Sequence, residues 1–554
     1  MRRFLFFSIL VLSLSVSFGQ KKTTSADNNL LKRPKLVVGI VVDQMRWDYL
    51  YRYYDLYKTD GGFKRFLNNG FTCENTFIPY TPTYTAAGHT SVYTGSVPAI
   101  NGIVGNSWYD RQLKREVYCS EDKNVRTVGS TTEEPGKMSP VNMFTTTITD
   151  ELRLATNFKS KVIGIALKDR GAILPAGHAA NAAYWYDSKT GNFITSTYYM
   201  NELPAWAKAF NDRKLVDSLY KPGWRLSLPA ATYAEYSSND EEPYESTPFG
   251  EDQKKFPYDL SRFTGKNYGK ISTTPFGNNL TMEMAKAALV AEQLGKSGNT
   301  DFLAVSFSSP DYIGHAFGPN SWEAMDNYIK LDELLGAFFK FLDKEIGAGE
   351  YSVFLTADHG VAHVAGFSSE HRLPGGLVEN SLSMKNLNAG LKQRFNIDSA
   401  IIAFENYQLY LNHPAFIGKE NELEAIKSYL IQQILPLEGV AQVIDLSTVK
   451  SQPLNEKQAS RFANGYNQLR SGDLQVILKP GYMSGSGKGT THGLWNPYDA
   501  HIPCLWYGWG IKKGKTTRET YMTDIAATVA ALLHIQMPNG CVGNVIDELI
   551  MNEK

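Results

Sequence analysis

The stretch at residues 351–360, YSVFLTADHG, constrains the fold more than any other part of the sequence. A short run of mostly apolar residues leads directly into an Asp-His pair and a glycine. Such a run is typical of a buried strand in a parallel sheet, although periodicity alone also allows a buried helical segment. Open α/β sheets bind ligands beyond the carboxyl ends of their strands. Asp358 and His359 are therefore candidate metal ligands at such an edge, the alternative being a turn that caps a helix.

Two other apolar runs end in a similar way. Residues 35–42 deliver Asp43 at the carboxyl end of a predicted strand, and residues 301–308 are followed by Asp311 and His315. Because Asp311 and His315 are four residues apart, one helical turn places both on one face. Carboxylate oxygens and imidazole nitrogens at one sheet edge are suitable donors for a metal ion such as zinc. A solvated Asp or a helix cap is the ordinary alternative for each residue taken alone.

The glycine-rich segment 479–495 carries one more candidate ligand, His492. We predict a flexible loop there, followed by a strand at 502–508. His501 lies in the turn before that strand, and we expect its role to be structural.

A candidate nucleophile lies in the segment 80–95, YTPTYTAAGHTSVYTG. The residues after Pro82 favour a helix with Thr85 at its N-cap, a position that Thr favours whatever its function. A helix N-terminus also binds phosphate-like anions through its free N–H groups, and a hydroxyl there, beside a metal ion, can act as a nucleophile. Asn106, in a glycine-rich loop further on, can place an amide donor over the same anion.

Residues 161–167 predict another strand, which leads into Lys168 and Arg170. Two cations at this spacing can grip phosphoryl oxygens, Arg as a planar fork and Lys as a point charge. An exposed basic turn is the alternative interpretation.

The length and composition favour a large α/β protein, and the balance of charges predicts no strong overall electrostatic field. The chain has 554 residues, and Lys+Arg and Asp+Glu both total 56, so no net charge attracts nucleic acid or an anionic membrane. We predict one catalytic domain at 35–554 with two insertions. The first, at about 177–277, is expected to be a cap or lid outside the core, and the second, at about 367–452, a small α/β subdomain.

The N-terminus predicts export. Two arginines precede an apolar run that is too short for a comfortable membrane span, and small residues follow at the right spacing for signal-peptidase cleavage before Gln20. Residues 1–19 are then a signal peptide and residues 20–34 a flexible lead-in. The mature protein is expected to be periplasmic or secreted, with no later membrane span.

The four cysteines are an even count for an oxidising compartment, in which three pairings are possible. The local choice pairs Cys73 with Cys119 and Cys504 with Cys541. None has a CxxC neighbour, so we expect no zinc-thiolate site.

The motifs TYTAAGH, SxPDYxGH, TADHG and THG, taken in this order, resemble the alkaline phosphatase superfamily. The resemblance covers nearly all of the mature chain and implies an α/β three-layer sandwich with a central, mostly parallel sheet. It also implies two zinc ions, one held by Asp311, His315 and His492 and the other by Asp43, Asp358 and His359. Thr85 matches the nucleophile, and Asn106, Lys168 and Arg170 match the groups that hold the phosphoryl oxygens.

Within the superfamily, the resemblance favours hydrolysis of small phosphate monoesters through a phosphothreonine. Sulfatases carry Cys or Ser in a C/S-x-P-S-R context, whereas Thr85 is followed by Ala-Ala-Gly-His. The Lys-x-Arg pair resembles the flavobacterial-type alkaline phosphatases. The main alternative is a nucleotide pyrophosphatase or phosphodiesterase, which shares the Thr and the Asn, and a metal-stabilised binding protein without turnover is a third. Oligomeric state stays open, and a monomer is compatible with the sequence.

Overall fold

The computed structural model describes residues 31–378, 383–418, 420–485 and 487–551. The predicted signal peptide at 1–19 and most of the predicted lead-in at 20–34 lie outside these residues. The chain from Pro34 onward forms one compact unit. Among the described residues, no helix has the length and apolar character needed to cross a membrane.

Two sheets contain most of the strands. In chain order, these strands are β1 (Leu36–Val42), β2 (Phe71–Cys73), β3 (Thr127–Val128), β4 (Val162–Ala166), β5 (Ala182–Asp187), β6 (Asn192–Ser196), β7 (Asp301–Phe307), β8 (Tyr351–Thr356), β9 (Ile401–Glu405), β10 (Gln408–Leu411), β11 (Val440–Asp445), β12 (Leu474–Leu478), β13 (Cys504–Gly508) and β14 (Gly514–Thr516).

The central sheet has ten strands in the order β14-β2-β13-β8-β1-β7-β4-β5-β6-β3. Its middle strands, from β8 through β1, β7 and β4 to β5, all run parallel, and antiparallel strands such as β13 and β6 flank them. β1, β7 and β8 are buried along their whole length, as expected of strands whose two faces are both covered. The predicted α/β fold with a mostly parallel central sheet is confirmed.

Helices form two separate layers around this sheet. The longer ones are α1 (Gly62–Asn69), α2 (Thr85–Thr94), α3 (Ile148–Ala155), α4 (Asp169–Ala176), α5 (Ala205–Asp212), α6 (Phe276–Ala291), α7 (Ser309–Phe317), α8 (Trp322–Leu342), α9 (Met384–Phe395), α10 (Glu420–Ile434), α11 (Glu456–Gly465) and α12 (Asp524–Leu533). α2 packs against α4 and α12, whereas α8 packs against α1, α6 and α7. Gly39 in β1 allows α2 to approach closely, since a Cβ there would lie 2.3 Å from Tyr93 Oη.

The second insertion extends further than we predicted. Strands β9, β10, β12 and β11 form a separate four-stranded sheet in the order β9-β10-β12-β11, and they share a hydrophobic cluster with α9 and α10. The predicted range of 367–452 omits β12, which lies in the middle of this sheet. Local periodicity does not reveal which strands pair with it, because that depends on how the intervening segments fold.

The prediction that residues 177–277 form a cap outside the core is wrong. β5 and β6 belong to the central sheet, and aromatic residues further along the segment, among them Tyr220, Trp224 and Tyr258, are buried in the main hydrophobic cluster. Burial of these large rings explains why the segment is rich in aromatic residues although it contains few long helices or strands.

The two predicted disulfides are also wrong, because all four cysteines are free thiols. Cys73 and Cys504 end up as neighbours where β2 and β13 pair antiparallel. The hydrogen bond with Cys504, together with burial, raises the pKa of the Cys73 thiol. Sheet pairing between distant segments, rather than closeness in sequence, decides which cysteines meet.

Candidate metal centre

The candidate ligands gather at the carboxyl ends of three adjacent parallel strands. Asp43 follows β1 directly, Asp358 and His359 follow β8, and α7 begins two residues after β7. Because parallel strands end at the same edge, these side chains share one site, as ligands of open α/β sheets generally do. The helix α7 carries Asp311 and His315, as the four-residue spacing predicts.

The first group of donors is Asp43, Asp358 and His359, all with side chains fully buried. His359 Nε2 lies 3.6 Å from Asp43 Oδ1 and 3.6 Å from Asp358 Oδ2. Neither of these two carboxylate oxygens has a hydrogen-bond partner. His89 Nδ1 also lies 3.2 Å from Asp358 Oδ2. Buried polar atoms normally form hydrogen bonds, so two carboxylate oxygens that lack such a bond beside an imidazole nitrogen fit a metal ion.

The second group centres on Asp311. Its Oδ1 lies 3.2 Å from His315 Nε2 and 3.7 Å from His492 Nε2. His359 also belongs here, because Asp311, His359 and His492 offer one donor atom each within 4.8 Å of one another. The rings of His359 and His492 stack with centroids 3.5 Å apart. His359 therefore lies between the two groups, and the sequence alone does not predict this.

All three histidines present Nε2 to the site. Each Nδ1 contacts a main-chain carbonyl oxygen, that of Thr490 for His315 at 2.7 Å, of Gly360 for His359 at 2.9 Å and of Thr83 for His492 at 2.7 Å. A carbonyl oxygen only accepts, so Nδ1 carries the proton and the Nε2 lone pair remains free to bind a metal. Burial, followed by the proximity of His359 and His315, lowers the pKa of His492 well below its usual value, which keeps that ring neutral.

The carboxylates give the site an excess of negative charge. Burial raises the pKa of Asp43, and Asp311 and Asp358 raise it further. Burial also acts to raise the pKa of Asp358, but His359, His89 and Lys168 together outweigh burial and hold that pKa below its usual value. The site thus holds three buried carboxylates, of which Asp43 and Asp311 contact the buried Lys168, so it favours cations.

Lys168 is buried against the carboxylates of the site, a position that an anion-binding residue does not require. Its Nζ donates to Asp43 Oδ2 at 2.7 Å and to Asp311 Oδ2 at 2.6 Å. Burial alone would lower the pKa of Lys168, but Asp311 and Asp43 outweigh burial and raise it. In this structure the lysine is thus a charged bridge between the two donor groups, whereas the sequence suggested that it acts beside Arg170.

Thr85 is adjacent to the metal-ligand candidates. Its Oγ1 lies 3.4 Å from His359 Nε2, and the residue is 1% exposed. It is the first residue of α2 and not the N-cap as we predicted, because Tyr84 takes the extended N-cap conformation. The Thr85 hydroxyl is directed to His359 in the site.

Asn106 and Arg170 are held next to the start of α2 and α4. Asn106 Oδ1 accepts from the Ala86 N–H at 3.0 Å, which leaves the amide nitrogen as a donor. Arg170 Nη1 donates to Tyr118 Oη at 3.0 Å, and Tyr118 in turn donates to Asp169 at 2.6 Å. Arg170 Nε is buried and has no partner. Both residues therefore have N–H groups available for an anion.

Sequence reasoning missed two further residues at the site. His89 lies one helical turn after Thr85, with Nδ1 2.9 Å from the Thr85 carbonyl oxygen and Nε2 2.7 Å from Ser306 Oγ. The spacing within the TAAGH motif is a signal that could have identified it. Gln44 donates hydrogen bonds to Asp311 and Asp358, and no local sequence pattern points to it.

Comparisons with known proteins show which family this chain resembles. The family model for type I phosphodiesterase / nucleotide pyrophosphatase matches residues 37–501. Alkaline phosphatase PhoV of Synechococcus elongatus is 49% identical over 98% of both chains. A protein of Myroides odoratus that bears the name calcium-transporting ATPase is 50% identical over 94% of this chain and 95% of its own.

Alkaline phosphatase PafA of Elizabethkingia meningoseptica is 49% identical over 98% of both chains. The crystal structure of wild-type PafA matches this fold with a TM-score of 0.92 at 49% identity, covering 94% of this chain and 100% of the other. Sequence and architecture thus agree along nearly the whole chain. The chain belongs to the type I phosphodiesterase / nucleotide pyrophosphatase family, within the alkaline phosphatase superfamily.

Proposed function

We propose that this protein is a metal-dependent phosphomonoesterase that acts through a phosphothreonine on Thr85. The observation that carries the proposal is the Thr85 hydroxyl, which lies 3.4 Å from a histidine of a buried carboxylate and imidazole cluster. The names of the relatives PhoV and PafA, both alkaline phosphatases, support the same activity.

The residues present fit two zinc ions, because the cluster offers carboxylate oxygens without hydrogen bonds and imidazole Nε2 atoms whose rings are held through Nδ1. Asp43, Asp358 and His359 would hold one ion, and Asp311, His315 and His492 the other. When bound, a pair of zinc ions supplies Lewis-acid stabilisation of the attacking and leaving oxygens in an in-line displacement. Metal analysis of the purified protein tests this part, and two zinc equivalents per chain are expected.

The chain's own residues account for binding and orientation. Arg170 and the Asn106 amide hold the phosphoryl oxygens, where charge accumulates in the transition state. The Thr85 hydroxyl gives up its proton as its oxygen bonds to phosphorus, and the bond to the leaving oxygen breaks, so that this oxygen takes up a proton and departs as the alcohol. Water then attacks the phosphothreonine, and phosphate leaves with Thr85 restored.

A phosphodiesterase or nucleotide pyrophosphatase is the second candidate, because the family model carries that description. Arg170 favours the monoester, because its buried Nε–H has no partner and a monoester dianion carries more charge than a diester. Rates on p-nitrophenyl phosphate and bis-p-nitrophenyl phosphate decide between the two. A higher kcat/KM on the monoester is expected, and a higher value on the diester would reverse the assignment.

Export is part of the proposal and rests on the N-terminal sequence. Cleavage before Gln20 is expected, and N-terminal sequencing of protein from the periplasm or medium tests it. A mature protein that retains the first 19 residues would contradict export by this route.

A further inference from the structure

Gln44 links the two groups of candidate ligands. It follows Asp43 and is 2% exposed. Its main-chain N–H donates to Asp358 Oδ1 at 3.1 Å, and its side-chain Nε2 donates to Asp311 Oδ1 at 2.7 Å. One residue thus holds a carboxylate from each group.

The backbone of Gln44 has an unusual conformation for this residue type. Its φ of 67° lies in the left-handed region, which residues other than glycine adopt rarely and at a cost of about 1–3 kcal/mol. Such conformations persist where the surrounding structure fixes them, and they cluster at functional sites. The two hydrogen bonds to buried carboxylates are the contacts that fix this one.

The neighbouring helix is shaped to receive the Gln44 side chain. A Cβ at Gly314, in the middle of α7, would lie 1.7 Å from Gln44 Oε1. Glycine inside a helix costs about 1 kcal/mol relative to alanine. Glycine at position 314, between Asp311 and His315, therefore makes the helix less stable than alanine would, but it leaves space for the Gln44 side-chain amide.

Both hydrogen bonds direct carboxylate oxygens within the site. The bond to Asp358 Oδ1 leaves Oδ2 without a hydrogen bond, 3.2 Å from His89 Nδ1 and 3.6 Å from His359 Nε2. The bond to Asp311 falls on the oxygen that faces His315 and His492. Because these oxygens are already held in place, the side chains lose less conformational entropy when a metal ion binds. Hydrogen-bond partners of metal ligands generally have this orienting role.

We infer that Gln44 is a positioning residue that keeps both donor groups arranged for metal binding, and that its side chain acts selectively on the Asp311 group. The inference rests on the proposed two-metal function. The main-chain bond to Asp358 does not depend on the side chain, so a side-chain substitution should spare the Asp43 and Asp358 group.

Zinc titration of metal-free protein against a chromophoric chelator tests this without reference to activity. Two substitutions remove the side-chain donor in different ways. Gln44→Met keeps the length of the side chain, and Gln44→Gly suits the left-handed backbone and removes the side chain entirely. We expect one zinc-binding step to weaken about 10- to 100-fold in both variants, while the other stays within about twofold of the wild type.

Gln293→Gly is the matched control. Gln293 is also a glutamine with a left-handed φ, of 54°, but it is exposed at the end of α6 and contacts none of the candidate ligands. Its substitution should leave both binding steps unchanged. In a His492→Ala background, which removes a ligand of the Asp311 group, Gln44→Met should have little further effect, because the two residues act on the same ion.

The outcomes separate the inference from the proposed function. Wild-type protein that binds fewer than two zinc ions would contradict the two-metal function itself. The role of Gln44 would be overturned if the wild-type protein shows two zinc-binding steps and the Gln44→Met variant has the same affinity in both. Equal weakening of both steps would overturn its selectivity, and should Gln44→Gly fail to fold, the Gln44→Met titration decides between these outcomes.

Discussion

Lys168 and Arg170 are two residues apart at the start of α4, yet they face different partners. Lys168 donates to Asp43 and Asp311, so its charge is matched inside the carboxylate cluster. Arg170 is oriented by Tyr118 and keeps a buried Nε–H without a partner. Arg170 is therefore the stronger candidate for direct contact with a phosphoryl group, and the two cations are not interchangeable.

Replacing Arg170 by Ala should lower kcat/KM for p-nitrophenyl phosphate by about 10- to 100-fold, since hydrogen bonds to charged groups contribute about 1.5–3 kcal/mol. The loss on the diester should be smaller, because a diester carries less charge for the guanidinium to stabilise. Tyr118→Phe, which removes the hydroxyl that accepts from Arg170 and donates to Asp169, should give a weaker effect of the same kind. Equal losses of Arg170→Ala on both substrates would mean that Arg170 only supports the fold.

Replacing Thr85 by Ala should lower phosphatase activity by about 10³-fold or more, because the proposed covalent step loses its nucleophile. No phosphoenzyme should be trapped by acid quenching, whereas zinc content should match the wild type, since Thr85 is not among the proposed ligands. Thr85→Ser keeps a hydroxyl and should still form a phosphoenzyme. Loss of zinc from the alanine variant would identify Thr85 as a structural residue instead.

Among the elements, those predicted best from the sequence are the ones specified locally. β1, β7 and β8 are contiguous apolar runs, and α7 follows from the four-residue spacing of Asp311 and His315. β12 lies outside the predicted subdomain because local periodicity does not show that this run pairs with β10 and β11. The position of His359 between the two donor groups likewise depends on how separate loops pack, which no local pattern encodes.

The small four-stranded sheet also reaches the proposed substrate site through the turn between β9 and β10. Asn406 and Tyr407 have φ values of 58° and 60°, typical of a tight type I′ hairpin turn. Asn406 Nδ2 donates to the Ser107 carbonyl oxygen at 2.8 Å, directly after Asn106. Gly105 has no room for a Cβ, which would lie 2.6 Å from that amide. The insertion thus supports the loop that carries Asn106.

From this contact we predict that Asn406→Ala lowers kcat/KM for the monoester about fivefold, corresponding to the loss of one hydrogen bond of about 1 kcal/mol. In the Asn106→Ala background the same substitution should have little effect, because it acts through Asn106. Asn412→Ala is the control, since Asn412 also donates its amide to a carbonyl oxygen of the insertion, that of Ser399, at 3.1 Å. A fully additive double variant would contradict the link.

At the scale of the whole molecule, the segment predicted as a cap is joined to the main core by buried polar contacts. Glu323, in the first turn of α8, is fully buried and accepts a hydrogen bond from Tyr258 Oη at 2.5 Å. Its Oε2 has no partner, and neither does Oε2 of the buried Glu245. Burial raises the pKa of Glu323 to about 8, and burial together with Glu323 raises that of Glu245 to about 10.

These shifts make folding stability depend on pH with a defined sign. In the unfolded chain a glutamate ionises near pH 4.3, whereas folded Glu323 keeps its proton until about pH 8. Between these values the folded state binds more protons, so stability falls as pH rises. The contribution of Glu323 is fully present below about pH 4 and is lost by about pH 8.

The substitution Glu323→Gln keeps the shape of the side chain and the acceptor for Tyr258, and it removes the titration. Its melting temperature should match the wild type near pH 5 and exceed it by several degrees at pH 8, with zinc present throughout. Glu235→Gln is the control, because Glu235 is exposed on the short helix Ala230–Tyr236. A difference between Glu323→Gln and wild type that stays constant from pH 5 to 8 would mean that Glu323 is ionised in the folded protein across this range.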